Sequence, residues 1–391
     1  MYKRRLFIFL FLIGVFSLQT MGAKVFASSD PQLKDRSPSP PPLSESDDEE
    51  SEESGESNGS ENNQQLSNTE VESLGEESSE SIFAGIFDTV LLSNIGQPMT
   101  IYSRMGDNYR TDGGKFWSTL GYKHIRANKT MKDNIAGILL GFDYPIFSRE
   151  GIVGIYGGYD GHFIGREEEK ARINSMSMGF YGGLVKESFD VKLNLAMARN
   201  SFNIDRNYRL HEDDEDEEPD KFNSTFTGYN FIIDGEVGIR CKVDESLLLR
   251  PFLGIQSAIV THGSFNETGP MANSRGVEVA SAKHFLTMGR LGVSLANTAG
   301  AFGPFGFHVD LDGRFRIANK NDHLSLTRKS DNAAKESKIA ANMNFLFAVN
   351  TGIDYNLPYA RNKITLAYDI GYQGNSSVHV FGTGLSVKFK L

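Results

Sequence analysis

The sequence predicts an all-β protein: a transmembrane antiparallel β-barrel of 12 strands with an N-terminal helix in the lumen, preceded by a disordered acidic segment. Three observations lead there. Beyond Gly113 apolar residues recur at every second position, the period of a strand. The alternating stretches are ten or more residues long, and their connections alternate between shorter and generally longer ones. The chain also opens on a leader of the kind that directs export.

Residues 1–27 read as a secretory signal peptide. Lys3, Arg4 and Arg5 form a basic start, residues 6–18 are almost wholly apolar, and Val25–Ala27 offers a cleavage site before Ser28. The apolar run falls short of the roughly 20 residues a membrane-spanning helix needs. An uncleaved anchor is the alternative. No cysteine follows the run to take a lipid. The single Cys241 rules out an internal disulfide and is expected to sit buried as a small apolar residue.

Residues 28–80 form a disordered, acidic, Ser-rich segment. They carry 16 acids against 2 bases, while residues 81–391 balance at 34 of each, so the net charge of −10 has a local origin. With so few apolar residues the segment cannot offset the entropy of folding. Nucleic acid is excluded as its partner, because like charges repel. Its Ser-Asp-Glu runs lack the Gly-centred spacing of a calcium loop.

Residues 81–112 read as a helix and a linker. In "ESIFAGIFDTVLLSNIGQP" the apolar Ile82, Phe83, Ile86, Phe87, Val90, Leu91 and Ile95 recur at helical spacing. Ser79 or Ser81 can cap the start, and Pro98 marks the end. Residues 81–97 reach roughly 25 Å at ~1.5 Å per residue, about the thickness of a bilayer core.

Residues 113–391 hold the barrel. Strands are expected at roughly 114–126, 133–146, 151–164, 173–186, 189–204, 223–243, 247–265, 280–296, 304–318, 338–356, 363–373 and 377–391. In "FGFHVDLDGRFRI" the apolar Phe305, Phe307, Val309 and Leu311 alternate with His308, Asp310 and Asp312. A soluble sandwich also alternates, but its strands are about half as long. Long strands in even number, closed on themselves, satisfy the backbone in a medium without water. Tyr122, Tyr144, Tyr159, Tyr355, Tyr368 and Phe389 are placed to form interfacial girdles. The glycines of "GIYGGYDGHF" divide by parity. Gly141, Gly154 and Gly158 are expected to face inward to make room for the helix, and Gly157 and Gly161 to face outward. The last strand ends on Leu391, where outer-membrane barrels usually carry an aromatic, a departure that weakens the assembly signal.

Several stretches together resemble the autotransporter β-domains of type V secretion. They are "FWSTLGYKHI" with its early Trp117, "GILLGFDYPI" followed by "GIYGGYDGHF", "GFYGGLV", "RPFLGIQSAIVTHGSFNETG" and "MGRLGVSLA". "RMGDNYR" is similar to the segment that links helix to barrel in some members. The resemblance covers residues 80 to 391 and implies twelve antiparallel strands around a helix that leads to an N-terminal passenger. It implies outer-membrane lipid as surroundings, the Sec export and barrel assembly machineries as partners, and residence in the outer membrane of a diderm bacterium. The departure from the family is the passenger, which shrinks here to residues 28–80. With the acidic stretch Glu212–Glu218 it would make the cell surface locally anionic; what the tail binds stays open.

The expectation is a non-enzymatic translocator that carries its short acidic segment to the cell surface. A stand-alone pore or adhesin-like barrel with a vestigial passenger is the alternative, and an outer-membrane hydrolase a more distant one. No catalytic, cofactor-binding or metal-ligating residue is assigned. Asp160 with His162 and His308 with Asp310 share inward faces and have the composition for acid-base work, but structural pairing is the expected use. Some relatives cleave their passenger with a luminal asparagine; Asn94 and Asn108 lie in that region without further marks.

Overall fold

The computed structural model describes residues 82–96, 101, 113–127, 131–147, 150–166, 169–208, 220–297, 302–320, 322–330, 332–340, 342–358 and 363–391. Helix α1 spans residues 82–96. The first strands are β1 (Lys115–Ala127), β2 (Met131–Ile146), β3 (Gly151–Arg166), β4 (Glu169–Val185), β5 (Phe189–Tyr208) and β6 (Asp220–Ile239). Then come β7 (Cys241–Lys242), β8 (Leu247–His262), β9 (Phe265–Asn266), the single turn α2 (Ala272–Arg275) and β10 (Val277–Val279). The chain continues through β11 (Ala282–Asn297), β12 (Phe305–Lys320), β13 (His323–Arg328) and β14 (Ala334–Lys338). It ends with β15 (Phe345–Asn356), β16 (Ile364–Gly374) and β17 (Val378–Lys390).

Twelve long strands close into one antiparallel barrel, in the order β1 to β6, β8, β11, β12, β15, β16 and β17. The ring is sealed by β1 against β17, from Lys115↔Lys390 to Ala127↔Val378. No strand edge of the barrel stays open, which removes the unpaired backbone groups that lipid cannot satisfy. The two-residue β7 follows a break at Arg240 and pairs with the start of β8. At the turn that follows, Asp244 accepts from the Ser246 hydroxyl and from the Ser246 and Leu247 amides. Those donors, the Ser246 side chain foremost, hold its carboxyl below the ordinary value.

Side chains sort by parity. Leu120, Ile155, Phe180, Leu193, Ile233, Leu253 and Leu385 point outward and are exposed. Such a belt suits hydrocarbon and would be an aggregation liability in water. Tyr122, Tyr144, Tyr159, Tyr368 and Phe389 are exposed on the same wall. Inside, one apolar cluster joins α1 to the wall, and a second gathers Ile101, Trp117, Leu139, Ile152, Tyr156 and Tyr181. The first half of the lumen belongs to the long-loop end, the second to the end that holds Gly113 and Leu391. Short periplasmic turns and longer outer loops are the rule for such barrels, which orients the molecule.

Several expectations are corrected. Strand 338–356 divides in two: β14 ends at Lys338, β15 starts at Phe345, and Ile339, Ala340 and Met343 between them are buried. The stretches 266–279 and 319–337, expected as loops, supply β9, β10, β13 and β14, a four-stranded sheet over one mouth. Cys241 is exposed, not buried, because it keeps the outward parity of Ile239 past the break. Ser79, Ser81, Pro98 and most of the acidic stretch around Glu212–Glu218 lie outside the described residues.

Candidate functional site

The lumen is the site, and α1 is what it holds. Ile82, Phe83, Ile86, Phe87, Val90, Leu91, Leu92 and Ile95 are all buried, so the helix is apolar nearly all round, as a helix enclosed by protein must be. Each such side chain contributes about 1.5–3 kcal/mol on burial. Near the long-loop mouth Phe83 meets Phe265 at 5.7 Å between ring centroids. One turn on, Phe87 stacks on His262 at 4.5 Å and tilts against Phe202 at 5.9 Å. Phe226 completes the group, stacked on Phe202 at 4.5 Å and on Phe265 at 3.8 Å. Asp88, buried, accepts a 2.6 Å bond from the amide of Ala340, whose φ of 56° turns the chain inward.

At mid-lumen the carbonyls in the last described turn of α1 take donors from the wall. Gln373 donates to Leu92 O at 3.3 Å, Lys123 to Ser93 O at 3.3 Å and Gln256 to Ile95 O at 3.0 Å. Arg314 donates to Ile95 O at 2.9 Å and, with the same nitrogen, to Gln373 at 2.8 Å. Lys123 and Arg314 also bring positive charge to the negative end of the helix dipole.

From Arg314 an ion ladder runs along the inner wall over five neighbouring strands. Arg314 binds Asp312 at 2.8 Å, and Asp312 accepts from Arg290 at 2.9 Å. Arg290 reaches Glu236 at 3.3 Å, Glu236 meets Arg250 at 2.7 Å and Lys192 at 3.3 Å, and Arg250 binds Asp190. Opposite charges alternate along β5, β6, β8, β11 and β12, so no buried charge is left uncompensated along the chain of contacts. On the β1–β5 side the filling is aromatic. Trp117 Nε1 donates to Asp143 and to the Tyr181 hydroxyl, both at 2.9 Å, and Tyr156 donates to Asn194 at 3.1 Å.

The inward glycines serve these rings. Trp117 is paired with Gly141, Tyr181 with Gly154 and Tyr156 with Gly179, and a Cβ at any of the three would strike the opposed ring. Gly158 likewise faces Leu139 and the Ile138 carbonyl. The expectation that Gly141, Gly154 and Gly158 clear a path for the helix is therefore corrected: they make room for the wall's own side chains. For the helix itself the close approach is at Gly85, against Met131.

Beside α1 a cavity of about 120 Å³ remains, lined by Asn94, Lys123, Asp160, His162, Asp369 and Gln373 among others. His162 pairs with Asp133 at 2.9 Å across strands, not with Asp160 two residues away. His308 lies 3.5 Å from Asp369 and 3.2 Å from Asn350. Both histidines are thus engaged by neighbouring strands, as structural pairing predicts. Asn94 stands in the last turn of α1, accepts from Asn230 at 3.4 Å and lines the cavity. Asn108 lies outside the described residues. The wall residues that hold the helix (Lys123, Gln256, Arg314, Gln373) carried no mark in the sequence beyond inward parity.

Residues 116–369 match the family model described as autotransporter beta-domain. The fold is similar to the translocator domain of autotransporter NalP from Neisseria meningitidis, with a TM-score of 0.61 at 10% identity over 79% of this chain and 99% of that one. The β-domain of the Bordetella autotransporter BrkA scores 0.49 at 14% identity, over 72% of this chain and 100% of that one. The transport unit of AIDA-I from Escherichia coli scores 0.45 at 14% identity, over 76% and 98%. No curated protein matches the sequence.

Proposed function

The chain belongs to the autotransporter β-domain family, and from that premise we propose that this outer-membrane translocator barrel carries its own residues 28–80 to the cell surface. The observation that supports this reading is the direction of α1. Its first described residues pack at the long-loop mouth and its last at mid-lumen, so the N-terminal end of α1 points to the side of the long loops. Residues 1–27 then act as the signal peptide read by Sec, 28–80 as a minimal passenger, 81–112 as luminal helix and linker, and 113–391 as the barrel placed by the assembly machinery. The protein works as a transport unit in the outer membrane of a diderm cell and not as an enzyme.

An epitope tag inserted after Gly55 tests the proposal. In intact cells the tag is expected to be labelled by antibody and removed by added protease. A tag that is protected until the outer membrane is broken overturns it.

A further inference from the structure

The outer wall carries charge that a purely apolar surround leaves unexplained. On β1, β2, β4 and β5 the first charged residue beyond the apolar belt, toward the long loops, is a cation: Arg126, Lys132, Arg172 and Arg199. Lys170 joins them, and on the outward face of β1–β6 Asp205 is the single carboxylate among the described residues. Register sharpens the grouping. Arg126 stands directly opposite Lys132, so two like charges meet on one face. Lys132 in turn faces Gly165, and Gly165 faces Lys170, each step being one strand spacing of ~4.8 Å.

Gly165 leaves a hollow between the two lysines, since a Cβ there would meet nothing within 4 Å. Arg172 stands two residues below Lys170 on the same face, opposite Phe163. Beneath the hollow the outward residues of β3 alternate between ring and bare backbone: Phe163, Gly161, Tyr159, Gly157. Tyr159 donates to Asn174 of β4 at 2.8 Å, which draws its hydroxyl aside; the wall is low at Gly157 and at Gly161, where the Phe163 ring forms the border at 3.7 Å. A shallow gutter thus runs from a cationic hollow into the apolar belt. Asp205 lies opposite Lys170 but is hydrogen-bonded by Asn223 at 2.8 Å, and Glu169 has inward parity. Glu167 and Glu168 lie outside the described residues.

We propose that Lys132 and Lys170, flanking Gly165 with Arg172 beneath, bind the phosphate of an anionic lipid of the outer leaflet, whose acyl chain lies along Gly161 and Gly157. Phosphate oxygens accept from ammonium and guanidinium groups in short charge-assisted bonds, and contact with the belt excludes the water that would weaken them. The acidic residues 28–80 are the other available polyanion. The hollow, however, lies on the outside wall against the belt, whereas α1 enters through the mouth. The inference rests on the outer-membrane reading, and vesicle insertion, read from heat-modifiable electrophoretic mobility, tests that premise separately.

The full chain is folded into phosphatidylcholine vesicles containing lipid A, a bisphosphorylated lipid, then transferred to detergent and weighed by native mass spectrometry. Retained lipid A is expected on the wild type, with about a tenfold loss in Lys132→Gln/Arg172→Gln. Gly165→Trp, which fills the hollow without changing charge, is expected to lose it too. Equal retention by either variant, or of lipid A stripped of its phosphates, overturns the proposal. Displacement by an equal concentration of inorganic phosphate reduces the site to a plain anion site and overturns the lipid assignment. A rise in retained lipid on deleting residues 28–80 gives the site to the tail instead.

Discussion

Arg314 joins three systems with one side chain: the ladder through Asp312, the wall through Gln373 and the helix through Ile95 O. It is fully buried, so its removal leaves the Ile95 carbonyl with Gln256 alone and Asp312 with Arg290 alone. Arg314→Ala is expected to destabilise the folded barrel by about 3–5 kcal/mol, read from denaturant unfolding in detergent. Loss of less than ~1 kcal/mol would place the helix anchor elsewhere. Trp117 offers a cleaner local probe, being the single tryptophan of the chain. Gly141→Ala pushes its ring away from Asp143 and Tyr181, so the fluorescence maximum should move to longer wavelength with a cost of about 1–3 kcal/mol. An unmoved spectrum would mean that the opposed strand yields instead of the ring.

At the scale of elements, α1 packs against the mouth sheet and the segment that follows it. Asp88 accepts from the Ala340 amide just past β14, and Phe83 packs on Phe265 in an apolar cluster that also takes Val279, Leu324 and Leu326 of the sheet. Asp88→Ala orphans a buried amide, at about 1–3 kcal/mol, and should make the chain near Ile339–Met343 more open to protease in outer-membrane vesicles. Asp88→Asn keeps an acceptor and should restore protection; equal cleavage in both variants would remove Asp88 as the latch. The long strands were legible because a belt in lipid forces strict period-two alternation, as in Phe231, Ile233 and Val237 against Asp234 and Glu236. The mouth sheet was not, since strands of two to six residues such as Phe265–Asn266 and Ala334–Lys338 are too short to show a period. Inward parity was equally plain for Gln256 and Gln373, but parity carries no height. Only the stagger of the closed barrel brings both to the last turn of α1.

For the whole molecule, the same parts explain both a sealed bore and a bore that can be emptied. The ladder and the Trp117 cluster bind wall to wall, so they persist without α1, whereas the caps from Lys123, Gln256, Arg314 and Gln373 and the Phe87 stack are lost with it. A lumen that keeps its polar lining and loses an apolar cylinder about 10 Å wide should fill with water and conduct. Deleting residues 28–97 is therefore expected to raise single-channel conductance in planar bilayers well above that of the full chain. The mouth sheet still covers one opening, so current through the deleted form should flicker, and a second deletion of residues 264–280, which leaves Gly263 and Ser281 as a two-residue turn, should steady it. Equal conductance with and without residues 28–97 would sink the view of α1 as a plug and favour a stand-alone pore, in which ions pass through the cavity beside the helix, past Lys123 and Asp369.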